Sequence, residues 1–142
     1  MQLAGTWYNE LKSSMTLVAA GNVLSGTYHN AAGPAAGDYD LYGIVDPDAT
    51  VPNRTIAWVV QWTRKADAKN FNSVTAWSGQ LQLLGTKKIP TITTEWLLTA
   101  ATDPADDWAS THVGQDVFSQ TPPSATSVKL KIKSKAPSHP RK

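Results

Sequence analysis

What most constrains this chain is an alternation of period two, renewed along the sequence with no helical pattern to compete. Apolar residues do not recur at i, i+3 and i+4 over any helix length, so long helices are not expected. Runs of β-forming residues stand instead near 5–12, 15–20, 23–30, 38–46, 54–64, 72–84, 89–100 and 112–120. Turn chemistry separates them. "KSS" (12–14) and "AGN" (20–22) suit tight hairpins, and "GTKK" (85–88) opens on a glycine. "NAAGPAAGD" (30–38), "DPDATVPN" (46–53) and "RKADAKN" (64–70) are small or polar loops. Parallel strands need crossover connections, and these gaps leave no room for crossover helices. The expected fold is therefore all-β: an eight-stranded antiparallel up-and-down β-barrel, a meander with one pocket per barrel. Closure at eight strands also removes exposed edges. An open sandwich is the alternative. One short helical turn is expected in "TDPADDWAS" (102–110), with Asp103 as its cap and Pro104 at its first position. Trp108 ends that turn, and either tucks back onto its own barrel or reaches another chain.

Size and charge narrow the class further. A chain of 142 residues is one domain long and buries roughly two-thirds of its unfolded surface. There is no cysteine, hence no disulfide framework and no thiolate metal site. No apolar run approaches the ~20 residues of a membrane-spanning helix. No signal sequence is evident in "MQLAGTWYNE". An intracellular protein fits, and so does a secreted one whose leader has been removed; the second is preferred. Six of the 13 basic residues fall in the last 14 positions, while residues 1–122 carry seven basic and eleven acidic groups, a net of −4. We therefore divide the chain into a barrel domain, 1–122, and a basic Pro/Lys-rich tail, 123–142. Within the tail "VKLKIK" (128–133) alternates and could add an edge strand; a frayed, solvated tail is the other reading. Neither nucleic acid nor a membrane is expected as a partner. His29, His112 and His139 lack metal-ligand spacing, so no metal is expected.

Parity poses the functional question. In "NSVTAWSGQL" (72–81) the largest apolar residue, Trp77, shares a face with Ser73 and Thr75, while Val74 and Ala76 take the other. The same comparison groups Trp7 with Asn9 and Leu11, Tyr28 with Asn30, Trp58 with Val60 and Trp62, Trp96 with Thr94 and Leu98, and Asp116 with Gly114 and Phe118. If each tryptophan face is inside, the interior also holds Asn9, Tyr28, Asn30, Ser73, Thr75 and Asp116. Buried polar groups require hydrogen bonds, and a buried carboxylate is costly. They satisfy one another as a core network, or a ligand satisfies them. Six are many for packing alone, which favours a pocket.

Five stretches then resemble a known family. "GTWYNELKS" (5–13), "LSGTY" (24–28), "TAWSGQ" (75–80), "TEWLLT" (94–99) and "DWASTHVGQDVF" (107–118) look like the avidin and streptavidin biotin-binding proteins, in order and approximate spacing. That family is a standard instance of the small closed barrel, so the architecture follows from resemblance as well as from strand count. The resemblance implies biotin as ligand, bound without catalysis and not as a cofactor. Asn9, Ser13 and Tyr28 then occupy positions that donate to the urea oxygen. Asp116 and Asn30 occupy those that accept its N–H groups. Thr75 would meet the ring sulfur and Ser73 the carboxylate. Trp62, Trp77 and Trp96 would box the ring and chain, with Leu11 and Leu98 at the edges and Phe71 beside the carboxylate. Ala32 and Ala35 lie in the lid loop 30–37. There Pro34 falls where the family uses a backbone N–H, and proline has none, which passes that role to Ala35 or Ala36. Trp108 matches a residue that closes the neighbouring subunit's pocket, which implies a homotetramer. Gln61, Gln115 and His112 are placed on the outward face, where they would alter subunit association.

Two other classes are carried forward. A lipocalin-like carrier would have a mostly aliphatic cavity. A hydrolase would need a second carboxylate beside Asp116; Glu95 and Glu10 are the nearest options, and both have outward parity.

Overall fold

The computed structural model describes residues 2–124 and 137–140. Its strands are β1 (Gly5–Tyr8), β2 (Ser14–Ala20), β3 (Val23–Asn30), β4 (Gly37–Val45), β5 (Arg54–Thr63), β6 (Asn70–Leu84), β7 (Ile89–Ala100) and β8 (Thr111–Ser119). They pair in chain order as a closed antiparallel barrel, sealed where Tyr8 of β1 meets Ser119 of β8. The sandwich is thereby excluded. Because every pairing is antiparallel, all odd strands run toward one end of the barrel. Loops 9–13, 31–36, 64–69 and 101–110 consequently gather at that end.

The expected strand limits hold to within two residues, with one correction. β1 stops at Tyr8 rather than continuing to residue 12. Asn9 ends it: its Oδ1 accepts the backbone N–H groups of Leu11 at 3.0 Å and Ser13 at 2.9 Å. A short amide side chain that captures nearby backbone donors competes with the sheet ladder. The resulting loop holds Lys12 at φ 72°, a conformation that side chains rarely adopt. At the opposite end, Ala20 pairs with Val23, leaving the two-residue turn Gly21-Asn22 with Gly21 at φ 63°, as short hairpins favour.

The helical segment is a 3₁₀ turn, Pro104–Ala109. Asp103 stands at its N-cap position, but its side chain makes no capping bond. The backbone does so instead, Asp106 N–H donating to the Asp103 carbonyl at 2.9 Å. Residues 128–133 lie outside the described residues, so the added edge strand is not addressed. Among the described residues no helix is long and apolar enough to cross a membrane.

In each strand that carries a tryptophan, β1, β5, β6 and β7, the tryptophan face is the inner face. Trp7, Trp58, Trp62, Trp77 and Trp96 are all buried, as are Asn9, Tyr28, Asn30, Ser73, Thr75 and Asp116. Leu24, Leu41, Val45, Ile56, Leu81, Ile92 and Phe118 are buried with them. Their strand positions put them in the half of the barrel away from the four gathered loops. Each such side chain contributes roughly 1.5–3 kcal/mol by leaving water. One end is therefore a packed floor, with Arg54 and Thr91 as its buried polar residues, and Asn9, Ser13, Asn30, Ser73 and Thr75 collect toward the other.

Candidate ligand-binding site

Register stacks the interior in rows. Trp58, Trp77, Trp96 and Gly114 are successive cross-strand partners over β5–β8. The first two stack, with ring centroids 5.5 Å apart. Gly114 completes the row because a Cβ there would run into the Trp96 indole. The missing side chain is what seats that ring. Toward the floor, Thr94 pairs with Asp116 and donates its hydroxyl proton to the Asp116 carbonyl at 2.9 Å. The Asp116 side chain turns up to accept the Trp77 indole N–H at 2.8 Å. A charged acceptor shortens and strengthens such a bond.

Tyr28 bridges the aromatic and polar parts. It stacks on Trp77 at 5.2 Å and meets Trp62 edge-on at 5.7 Å. Burial raises its pKa well above the ordinary tyrosine value, and the Asp116 charge adds to this, against hydrogen bonds with the hydroxyls of Ser138 and Ser13. The phenol keeps its proton. Asn9, its oxygen held by two backbone N–H groups, turns its amide nitrogen to within 3.5 Å of the Tyr28 hydroxyl. Ser13 is buried and accepts the Ala31 N–H at 3.4 Å, which ties the 9–13 loop to the 31–36 loop.

Asn30 is oriented by its nitrogen, which donates to the carbonyls of Ala32 at 3.1 Å and Ala35 at 2.9 Å. Two acceptors on one side fix the amide flip. The oxygen therefore faces inward, and it is buried with no hydrogen-bond partner among the described residues, as is the Ser73 hydroxyl oxygen. Trp62 donates its indole N–H to the Thr75 hydroxyl at 2.9 Å, and Thr75 passes its own proton to the Ser138 carbonyl at 2.7 Å.

Most expected site residues thus converge on the loop-bearing end. Leu11 is half-buried there, Leu98 is buried, and Phe71 packs against the core. Ala35 is fully buried and Ala32 exposed. Ala36 is spent locally, its N–H donating to the Gly33 carbonyl at 3.1 Å. Trp108 does not tuck back: it is 85% exposed. His112 corrects an expectation. It does not face outward but pairs with Leu98 and lines the mouth, a cleft of about 320 Å³, with Phe71, Ser73 and Ala100. Its parity is that of Gly114 and Asp116.

Three residues were missed. Tyr39 is buried and donates to the Ala35 carbonyl at 2.7 Å; its alternation with Asp38 and Asp40 was the available signal. Arg64 donates to the carbonyls of Pro34 at 3.1 Å and Ala36 at 3.0 Å while pairing with Asp67 at 2.7 Å. That pair holds the Asp67 carboxyl down at about 2. The 31–36 loop is pinned by a residue 28 to 30 positions away, which no local pattern announces. Ser138, 1% exposed, carries no signal in the sequence, since it lies in a basic Pro/Lys-rich stretch.

The described residues thus form a closed up-and-down barrel with a buried tryptophan-rich cluster inside and an open cleft at the loop-bearing end. The Avidin family model matches residues 1–121, and the chain belongs to that family. It is similar to avidin of Gallus gallus, 29% identical over 124 residues that cover 83% of this chain and 77% of that protein.

Proposed function

We propose that this chain binds biotin, without catalysis, in the mouth of the barrel. One observation supports this most: the buried inner face gathers both the donors and the acceptors that a cyclic urea requires. Tyr28, Ser13 and the Asn9 amide nitrogen would supply the donors. Asn30 Oδ1, buried and turned inward, and the buried Asp116 would supply the acceptors. Donors preset in a low-dielectric pocket polarise the urea carbonyl without reorganising. The urea N–H groups then donate to Asn30 and Asp116. Trp62, Trp77 and Trp96 would enclose the apolar ring system, with Leu11 and Leu98 at the edges. Thr75 would meet the sulfur. Ser73 would take the carboxylate beside Phe71, since Ala36 has its N–H engaged within the lid. The polar cavity argues against a lipocalin-like apolar carrier. Glu95 argues against the hydrolase, being exposed on the outer face and bound there by Gln115. Biotin titration followed by tryptophan fluorescence tests the proposal. Saturable quenching at micromolar biotin is expected, and its absence would reject this ligand.

The outer face supports assembly. Tyr42, Val59, Ala76, Leu97 and Val113 are successive cross-strand partners from β4 to β8, and so form one apolar row. All but Ala76 are well exposed, Val113 at 70% and Tyr42 at 61%. Contiguous apolar rows of this kind mark interaction surfaces. We propose a homotetramer in which this row is covered and Trp108 reaches a neighbouring subunit's pocket. Native mass measurement decides it: a monomer at micromolar concentration would overturn the assembly and leave the urea site standing.

A further inference from the structure

The mouth of the barrel is occupied by this chain itself. The segment Pro137–Pro140 enters between the gathered loops, and Ser138 and Pro140 are buried. The Ser138 carbonyl accepts the Thr75 hydroxyl proton at 2.7 Å. The Ser138 hydroxyl hydrogen-bonds with Tyr28. Pro137 and Pro140 narrow the mouth, lining its cleft with Phe71, Ser73, Leu98 and His112, and His139 lies close to Gly33 of the 31–36 loop.

We infer that the pocket is a peptide-binding site as well, that its built-in ligand is the Pro-Ser-His-Pro segment of this chain, and that small ligands bind by displacing it. The chemistry suits the role. A peptide entering an apolar mouth must leave few backbone groups unpaired. Proline brings no N–H, and its fixed φ reduces the entropy lost on ordering. The single deep residue is small and carries both an acceptor and a hydroxyl, and each finds a partner in the pocket. Twelve residues separate Ser124 from Pro137. Fully extended, each spans about 3.3–3.6 Å, enough chain to return from the end of β8 to the mouth within one barrel. The proposed contact set covers the sulfur and carboxylate positions of the biotin reading and also Tyr28, one of its urea-oxygen donors, and leaves Asp116 and Asn30 to the small ligand. Occupancy would therefore lower apparent affinity by the fraction of barrels left open.

The displacement half of this inference rests on biotin as ligand; the peptide half does not. Two full-length variants test both: Ser138→Glu, which puts a charge beside Tyr28 and Asp116, and Pro137→Gly/Pro140→Gly, which loosens the segment. The first probe is a synthetic peptide of residues 136–142, titrated into each protein with no biotin present and read by tryptophan fluorescence. Saturable binding to the variants, at least about tenfold tighter than to the unaltered chain, is expected from competition with the tethered segment. The second probe is biotin, with association about tenfold faster in the variants and dissociation unchanged. Peptide that binds the variants no better than the unaltered chain overturns the inference. Peptide binding with no biotin binding upholds the peptide site and rejects biotin. Equal biotin association in all three proteins rejects displacement.

Discussion

Under the proposed function, Asp116 is the residue on which the site would depend most. It is fully buried, it receives the Trp77 indole, and its charge helps keep Tyr28 protonated. Under the biotin reading it also accepts a urea proton, and hydrogen bonds to charged groups are worth roughly 1.5–3 kcal/mol. Asp116→Ala should weaken biotin binding by about ten- to a hundredfold, and Ser73→Ala by much less. Equal losses in calorimetry would show that the urea is not the main anchor. Tyr28 yields a prediction about pH. Its folded pKa is raised above the unfolded value of 10.0, so both states are protonated below that pH and its contribution is intact. Above it the unfolded chain releases a proton that the folded one retains, and stability falls, by up to ~1.4 kcal/mol per pH unit. The melting temperature should therefore decline between about pH 10 and 11.5, and Tyr28→Phe should shallow that decline. An unchanged slope would show that Tyr28 is not the group responsible. Residue types were legible here and orientations were not. Asn30 could be read as an acceptor, but two carbonyls from a loop had to fix its flip.

Among the elements, β6 was the most readable. Its alternation assigned Ser73, Thr75 and Trp77 to one face, and all three are buried, while Val74 faces out. Period-two patterning is local geometry, so one strand carries it without help from its neighbours. Gly114 shows the limit of such reading. Only cross-strand register with Trp96 explains why no side chain is tolerated. Gly114→Ala should displace the Trp96 ring, cost about 1–3 kcal/mol as overpacking does, and shift the tryptophan emission. A variant as stable as the parent, with unchanged emission, would mean that the ring moves freely. The loop 31–36 is likewise governed from outside itself. Arg64→Ala removes both carbonyl contacts to it, and amide exchange in that loop should accelerate while the β6–β7 hairpin is unaffected. Exchange that stays slow would show that Tyr39 alone suffices to hold Ala35.

For the whole molecule the outward row from Tyr42 to Val113 sets the expectation. Leu97 lies mid-row and is 52% exposed, so Leu97→Glu would bury a charge if the row is covered. Native mass should fall to a smaller assembly, while the circular dichroism of the barrel is kept. An assembly unchanged in mass would place the interface elsewhere. The sequence by itself determined the eight strands, the inward face of those that carry a tryptophan, and the hairpin turns, because alternation and turn chemistry act between residues a few positions apart. Only the tertiary structure decided how the barrel closes at Tyr8 and Ser119, that Arg64 holds the 31–36 loop, and that Ser138 meets Thr75 across 63 positions. Contacts of that separation are set by which surfaces closure brings together, and no local period in the sequence encodes them.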